Sequence, residues 1–231
     1  MLERNGTYVA AALSLSMLLL AQEAHGQVMQ PAMMNVGRAY VGASAGVVIP
    51  NDLHTTFGGG IAGSGDFSFK AGGAGTGFIG YHFNDMLAGE GELGVTSADS
   101  DKFSGTLNGV PVTATIDGSL TTVFAFANLI VTPLGRSGFS PYIGGGIGFA
   151  SVDDTINSIG GVGVASTGRE TDFAANLMLG LDFAVADRWS VGARYRFVWI
   201  NTASSASAGG VTASIDDLTA HVITATATFH F

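Results

Sequence analysis

Residues 220–231 (Ala-His-Val-Ile-Thr-Ala-Thr-Ala-Thr-Phe-His-Phe) change character at every step. Ile223, Ala225, Ala227, Phe229 and Phe231 fall on one side, and Val222, Thr224, Thr226, Thr228 and His230 on the other. A period of two is that of a β-strand with unlike faces. A strand ending on a bare aromatic would set an apolar ring in water beside a charged carboxylate. It is expected instead to turn one face to lipid, with Phe231 at the membrane interface.

Composition supports that solvent. Apolar residues are 47% and charged residues 12% of the chain, against about a quarter charged in ordinary globular proteins. Beyond the first 26 residues no apolar run approaches the ~18 needed for a membrane-spanning helix. A closed β-barrel is the other architecture that satisfies its backbone hydrogen bonds inside a bilayer. The 35 glycines suit strands packed around a narrow lumen, although glycine weakens a strand wherever nothing demands it.

The start of the chain reads as an export signal. Arg4 supplies a positive n-region, residues 9–21 an apolar run, and Ala24-His25-Gly26 a small-x-small site. The run is too short for a spanning helix, for which ~20 residues are needed. Residues 1–26 are expected to be a signal peptide, cleaved after Gly26 or Ala24. Residues 27–231 are then one barrel domain, with 8 Lys and Arg against 16 Asp and Glu and a net charge of −8. So acidic a chain is a poor nucleic-acid binder. Without cysteine it has no disulfide, thiolate metal site or cysteine nucleophile.

Alternation places eight strands, near residues 39–49, 69–82, 86–95, 120–131, 141–151, 173–185, 189–200 and 218–231. Three connections are short (83–85, 132–140, 186–188). Four are long and rich in Gly, Ser, Asn and Asp (50–68, 96–119, 152–172, 201–217). Short periplasmic turns and long outward loops are the habit of transmembrane barrels, and an even strand number puts both ends on the short-turn side. A soluble sandwich or lipocalin-like barrel has similar alternation but turns its apolar face inward. Here the apolar sets are large, and the opposite sets carry charge. Glu90 and Glu92 stand opposite Leu93 and Val95, and Arg194 and Arg196 opposite Tyr195 and Phe197. Aromatics gather at strand ends (Tyr81, Phe83, Trp189, Trp199, Phe229, Phe231) as interfacial girdles do. The fold expected is all-β: a single eight-stranded, antiparallel, up-and-down transmembrane β-barrel.

Glu90, Glu92, Arg194 and Arg196 should therefore point into a lumen just wide enough to be filled by side chains. Enclosed charges need partners, so an ionic network plugging the lumen is expected. A charged, ion-selecting constriction is the alternative. The five histidines (25, 54, 82, 221 and 230) lack a metal-binding spacing. His221 with a nearby serine could serve a lipid hydrolase on the outer wall, but serine and aspartate are common enough here for coincidence. Asp99, Asp101, Asp153, Asp154, Asp216 and Asp217 read as a solvated acidic rim rather than a calcium loop. Gly58–Gly60 and Gly144–Gly146 precede no helix and no Lys-Ser/Thr pair, so neither is a phosphate loop. No catalytic, cofactor or metal residue is assigned.

The segments 77–85 (Gly-Phe-Ile-Gly-Tyr-His-Phe-Asn-Asp), 90–92, Asn128, 141–148 (Pro-Tyr-Ile-Gly-Gly-Gly-Ile-Gly), 186–190, 192–197 and Phe231 together resemble the small eight-stranded outer membrane barrels, the outer membrane protein A/X-like barrel domain. The resemblance covers nearly the whole chain after residue 26. It implies residence in a Gram-negative outer membrane among lipid and lipopolysaccharide. It also implies a terminal strand (Phe229, Phe231) read by the barrel-assembly machinery. The sequence lacks the periplasmic peptidoglycan-binding domain of some members, which puts a cell-wall tether in doubt. Three roles stay open: a structural or surface protein whose loops meet a host or surface ligand, a narrow pore for water or small solutes, and a lipid-modifying barrel enzyme.

Overall fold

The computed structural model describes residues 38–60, 62–136, 138–159, 161–202, 204–208 and 211–231. The expected signal peptide, with His25, lies outside them. Among the described residues there are twelve strands: β1 (Ala39–Pro50), β2 (Leu53–Gly59), β3 (Gly63–Phe69), β4 (Gly72–His82), β5 (Leu87–Leu107), β6 (Val110–Val131), β7 (Phe139–Ile159), β8 (Val162–Ala186), β9 (Trp189–Ile200), β10 (Ser204–Ala208), β11 (Val211–Ile215) and β12 (Leu218–His230).

Eight of them close a ring, in the order β1-β4-β5-β6-β7-β8-β9-β12 and back to β1, every pairing antiparallel. Closure leaves no edge strand within the ring, as a bilayer requires. The last strand seals it, pairing with β9 from Leu218↔Ile200 to Phe229↔Trp189 and with β1 from Tyr40↔His230 to Pro50↔Ala220.

The four long connections are not irregular. β5 and β6 continue to a tight turn at Asn108-Gly109, both with positive φ (50° and 79°). That is the geometry of an Asn-Gly hairpin turn, so residues 96–119 are largely a protruding hairpin. β7 and β8 likewise run on to Gly161, whose φ is 80°. The first and last long connections fold as the strands β2, β3, β10 and β11, joined to β5 in the order β10-β11-β2-β3-β5. The sequence reading stopped these strands too early because Ser, Thr, Gly and Asp look like loop residues. Above a membrane both faces of a hairpin can be polar, so composition loses its power there.

The wall is apolar outward. Leu177, Leu93 and Ile79 are 68%, 67% and 65% exposed, whereas Thr224, Thr226 and Thr228 on the inner face of β12 are 5% exposed. On β9, Trp189 and Trp199 stand at opposite ends of the outward face. Ten residues at ~3.3 Å rise and ~40° tilt put these rings about 25 Å apart, the height of a barrel's apolar band.

The interior departs from a simple polar-inside rule. Toward the long hairpins the lumen is packed with Val48, Ala98, Phe124, Phe126, Ala150, Ala174, Val198, Ile200, Leu218 and Val222. Ionic side chains occupy the middle. Hydroxyls and histidines (Ser190, Thr228, His82, His230) join them toward the short turns.

Candidate functional site: the ionic lumen

β5 and β9 are four places apart in the eight-membered ring, so they face each other across the diameter. Strand alternation turns Glu90 and Glu92 inward from β5, and Arg194 and Arg196 inward from β9. All four are at most 4% exposed. Arg194 reaches across the lumen and meets Glu90 with two bonds: Nη1 donates to Oε1 at 2.8 Å and Nη2 to Oε2 at 3.2 Å. Its Nε donates to the Tyr142 hydroxyl oxygen at 2.9 Å, and its Nη1 is 3.7 Å from Glu92 Oε2. The guanidinium lies over the Phe78 ring, 4.8 Å from its centre. Such a planar, bidentate seat suits arginine and would not suit lysine.

Arg196 pairs with Glu92 Oε2 through Nη2 and lies between Phe124 and Phe126, 5.7 and 5.9 Å from their centres. Asn128 Nδ2 donates to the same Glu92 oxygen at 3.0 Å, and Asn176 Nδ2 donates to Asn128 Oδ1 at 2.9 Å. The Tyr40 hydroxyl donates to Glu90 Oε2 at 3.2 Å. The Glu92–Arg196 half is the less complete. Among the described residues Glu92 Oε1 and Arg196 Nε are buried without a hydrogen-bond partner.

Sequence reasoning named the four charged residues but not Tyr40, Tyr142, Phe78, Phe124 or Phe126 as lumen groups. A signal for them existed. Each stands directly across from a glycine: Tyr40↔Gly80, Phe78↔Gly42, Phe124↔Gly94, Phe126↔Gly148 and Tyr142↔Gly180. At Gly42, Gly80, Gly94 and Gly180 a Cβ would run first into the ring, and at Gly148 it would strike the Ala125 carbonyl before the Phe126 ring. A large ring lies flat over a bare backbone, and that fills a narrow interior without widening it.

Small voids remain in the lumen. One of about 50 Å³ lies on the short-turn side, lined by His82, His230, Ser190, Asp182, Glu90 and Arg194 among others. One of about 30 Å³ lies in the apolar half. Both are large enough for water and far too small for a small-molecule ligand. A serine–histidine hydrogen bond does occur, Ser190 Oγ to His230 Nε2 at 3.0 Å, but Ser190 is 1% exposed. The other described histidines are engaged elsewhere. His54 Nδ1 meets Asp66 at 2.7 Å, His82 packs at a tilt on Tyr40, and His221 Nδ1 meets the Tyr195 hydroxyl at 2.7 Å. His221 thus has a tyrosine for its partner, where the hydrolase idea needed a serine.

The other sequence candidates lie apart from the lumen. Trp189 packs on Phe229, which packs on Phe231, at 5.2 and 5.3 Å between ring centres, and Tyr81 packs on Phe83 at 5.9 Å. At the opposite rim Trp199 Nε1 donates to Asp217 Oδ2 at 2.9 Å. Of the acidic rim, Asp101 lies 3.9 Å from Lys70. Among the described residues no group of acidic and histidine side chains could hold a metal ion.

No curated protein matches the chain. In fold it is similar to the crystal structure of the outer membrane protein OprG from Pseudomonas aeruginosa, at 14% identity and TM-score 0.54, over 85% of this chain and 98% of that one. It is also similar to the solid-state NMR structure of outer membrane protein AlkL in lipid bilayers, at 16% identity and TM-score 0.52, over 85% and 91%. Residues 9–231 match the family described as outer membrane protein beta-barrel domain. With its ring of eight strands and its lipid-facing wall, the chain belongs to that family and resides in the outer membrane.

Proposed function

We propose that this protein is a non-enzymatic outer membrane anchor: a plugged barrel that holds its protruding hairpins outside as an interaction surface, in envelope integrity, adhesion or antigen-like display. What carries the reading is the bonding of Arg194 and Glu90 across the full width of the lumen. A water-filled path would have to pass that bridge, the rings over their glycines, and then an apolar half with a void of about 30 Å³. The Ser190–His230 contact gives no footing for catalysis, because the adjoining void of about 50 Å³ is far below the ~300–1,000 Å³ of a small-molecule site.

Planar-bilayer recording tests this. The purified protein is expected to give no steady current, and a reproducible ohmic conductance would refute the plugged-anchor reading in favour of a narrow pore. Phe229 and Phe231 are proposed to serve assembly, by presenting the terminal strand to the barrel-assembly machinery. Deleting Phe231 is expected to lower the folded, heat-modifiable fraction in membranes severalfold while leaving secretion unchanged. Equal folded fractions in the two proteins would remove that role. The partners proposed are outer membrane lipid and lipopolysaccharide around the wall, and a host or surface ligand at the hairpins.

A further inference from the structure

On the outer wall, close under the long-hairpin rim, His221 and Tyr195 form a polar pair where the rest of the face is apolar. Tyr195 (β9) and His221 (β12) are diagonal neighbours, since Phe197 pairs with His221 and Tyr195 with Ile223. The Tyr195 hydroxyl and His221 Nδ1 are 2.7 Å apart, and their rings are stacked at 5.9 Å. Either tautomer leaves one donor proton over. If the tyrosine donates, His221 Nε2–H is left, and if Nδ1–H donates, the tyrosine O–H is left. An unsatisfied polar group facing hydrocarbon costs several kcal/mol, so this proton must meet something polar in the lipid.

Depth says what that is. Trp199 marks the interface, with its indole N–H on Asp217. His221 pairs with Phe197, which lies two residues further in than Trp199, or ~5 Å along a tilted strand. That places it just inside the outer rim, at the upper limit of the acyl chains. Beside it the wall is hollow. A groove of about 660 Å³ runs over Ala127, Gly145 and Ala175 and is flanked by Leu177, Phe197 and Trp199. Across Phe197 stands His221, with ring centres 5.4 Å apart. Chain-shaped space and a polar anchor meet at one phenyl ring.

We infer that this wall holds an outer-leaflet lipid, one acyl chain lying in the groove over Ala127, Gly145 and Ala175 and its acyl ester hydrogen-bonded to the His221–Tyr195 pair. The wild type, His221→Phe and Ala175→Leu are refolded into vesicles of a diester phosphatidylcholine and into its diether counterpart, which keeps the chains and lacks the ester carbonyls. Urea unfolding is followed in both. One hydrogen bond shifts an unfolding equilibrium by about threefold to tenfold, so the wild type is expected to favour the ester vesicles by that factor. His221→Phe is expected to lose the preference, and Ala175→Leu, which fills the groove floor, to weaken it. An equal ester preference in the wild type and His221→Phe, or none in the wild type, overturns the inference. Bilayer thickness and lateral pressure act on all three proteins alike and cancel in the comparison.

Discussion

Replacing Arg194 with alanine lowers the unfolding free energy of the refolded barrel by about 3–5 kcal/mol, the usual cost of stranding one partner of a buried ion pair. Glu90 would keep only the Tyr40 hydroxyl among its present side-chain bonds, and Tyr142 would lose the arginine Nε–H. The loss is expected to exceed that of Arg196→Ala. Arg194 has a bidentate seat plus a tyrosine, whereas Arg196 holds Glu92 through one nitrogen and leaves its Nε unpartnered. Glu90→Gln combined with Arg194→Met should recover most of the deficit, because removing both charges strands neither. Urea titration in vesicles measures all of these. A midpoint for Arg194→Ala equal to that of the wild type would mean that the bridge does not hold the barrel, and the plugged-lumen reading would lose its physical basis.

The four ionic residues could be read from sequence because charge on the inner face of an otherwise apolar strand has one explanation in lipid. The wall was equally legible, since Leu93, Leu177 and Phe197 alternate with charged or amide residues. Two parts were not. Residues 96–119 look like loop by composition, and the Asn108-Gly109 pair that folds them back is a local geometric signal easily lost among so many glycines. The apolar upper lumen was hidden by the same alternation that revealed the barrel. Val48, Val198 and Val222 sit on inner faces, yet nothing in a period of two distinguishes an apolar interior from a second lipid-facing side. Which ring covers which glycine depends on cross-strand register, which a chain read in isolation leaves open. The Tyr142–Gly180 pair is separated by 38 positions.

That register gives the second large effect. Phe124→Ala is expected to destabilise the barrel by about 3–5 kcal/mol, as for other buried aromatics cut to alanine. Phe124 is 3% exposed, packs at a tilt on Phe126 with ring centres 5.2 Å apart, and carries the Arg196 guanidinium on its face. Its ring lies over Gly94 on β5, where a Cβ would strike the ring and come within 2.8 Å of the Thr76 methyl. Gly94→Ala alone is therefore an overpacking change, expected to cost about 1–3 kcal/mol. With the ring gone its clash disappears, and of the nearest atoms the Thr76 methyl remains, on a side chain whose hydroxyl is bonded to Ser44. In the Phe124→Ala background Gly94→Ala should cost markedly less than in the wild type, and the added methyl should fill part of the cavity. The double-mutant cycle would then show a coupling of at least about 1 kcal/mol, well above the ~0.3–0.5 kcal/mol scatter of independent sites. Additive losses would mean that the glycine is there for some other reason. The account of the interior as rings laid over bare backbone would then have to be given up, even if the ionic bridge beneath it survived its own test.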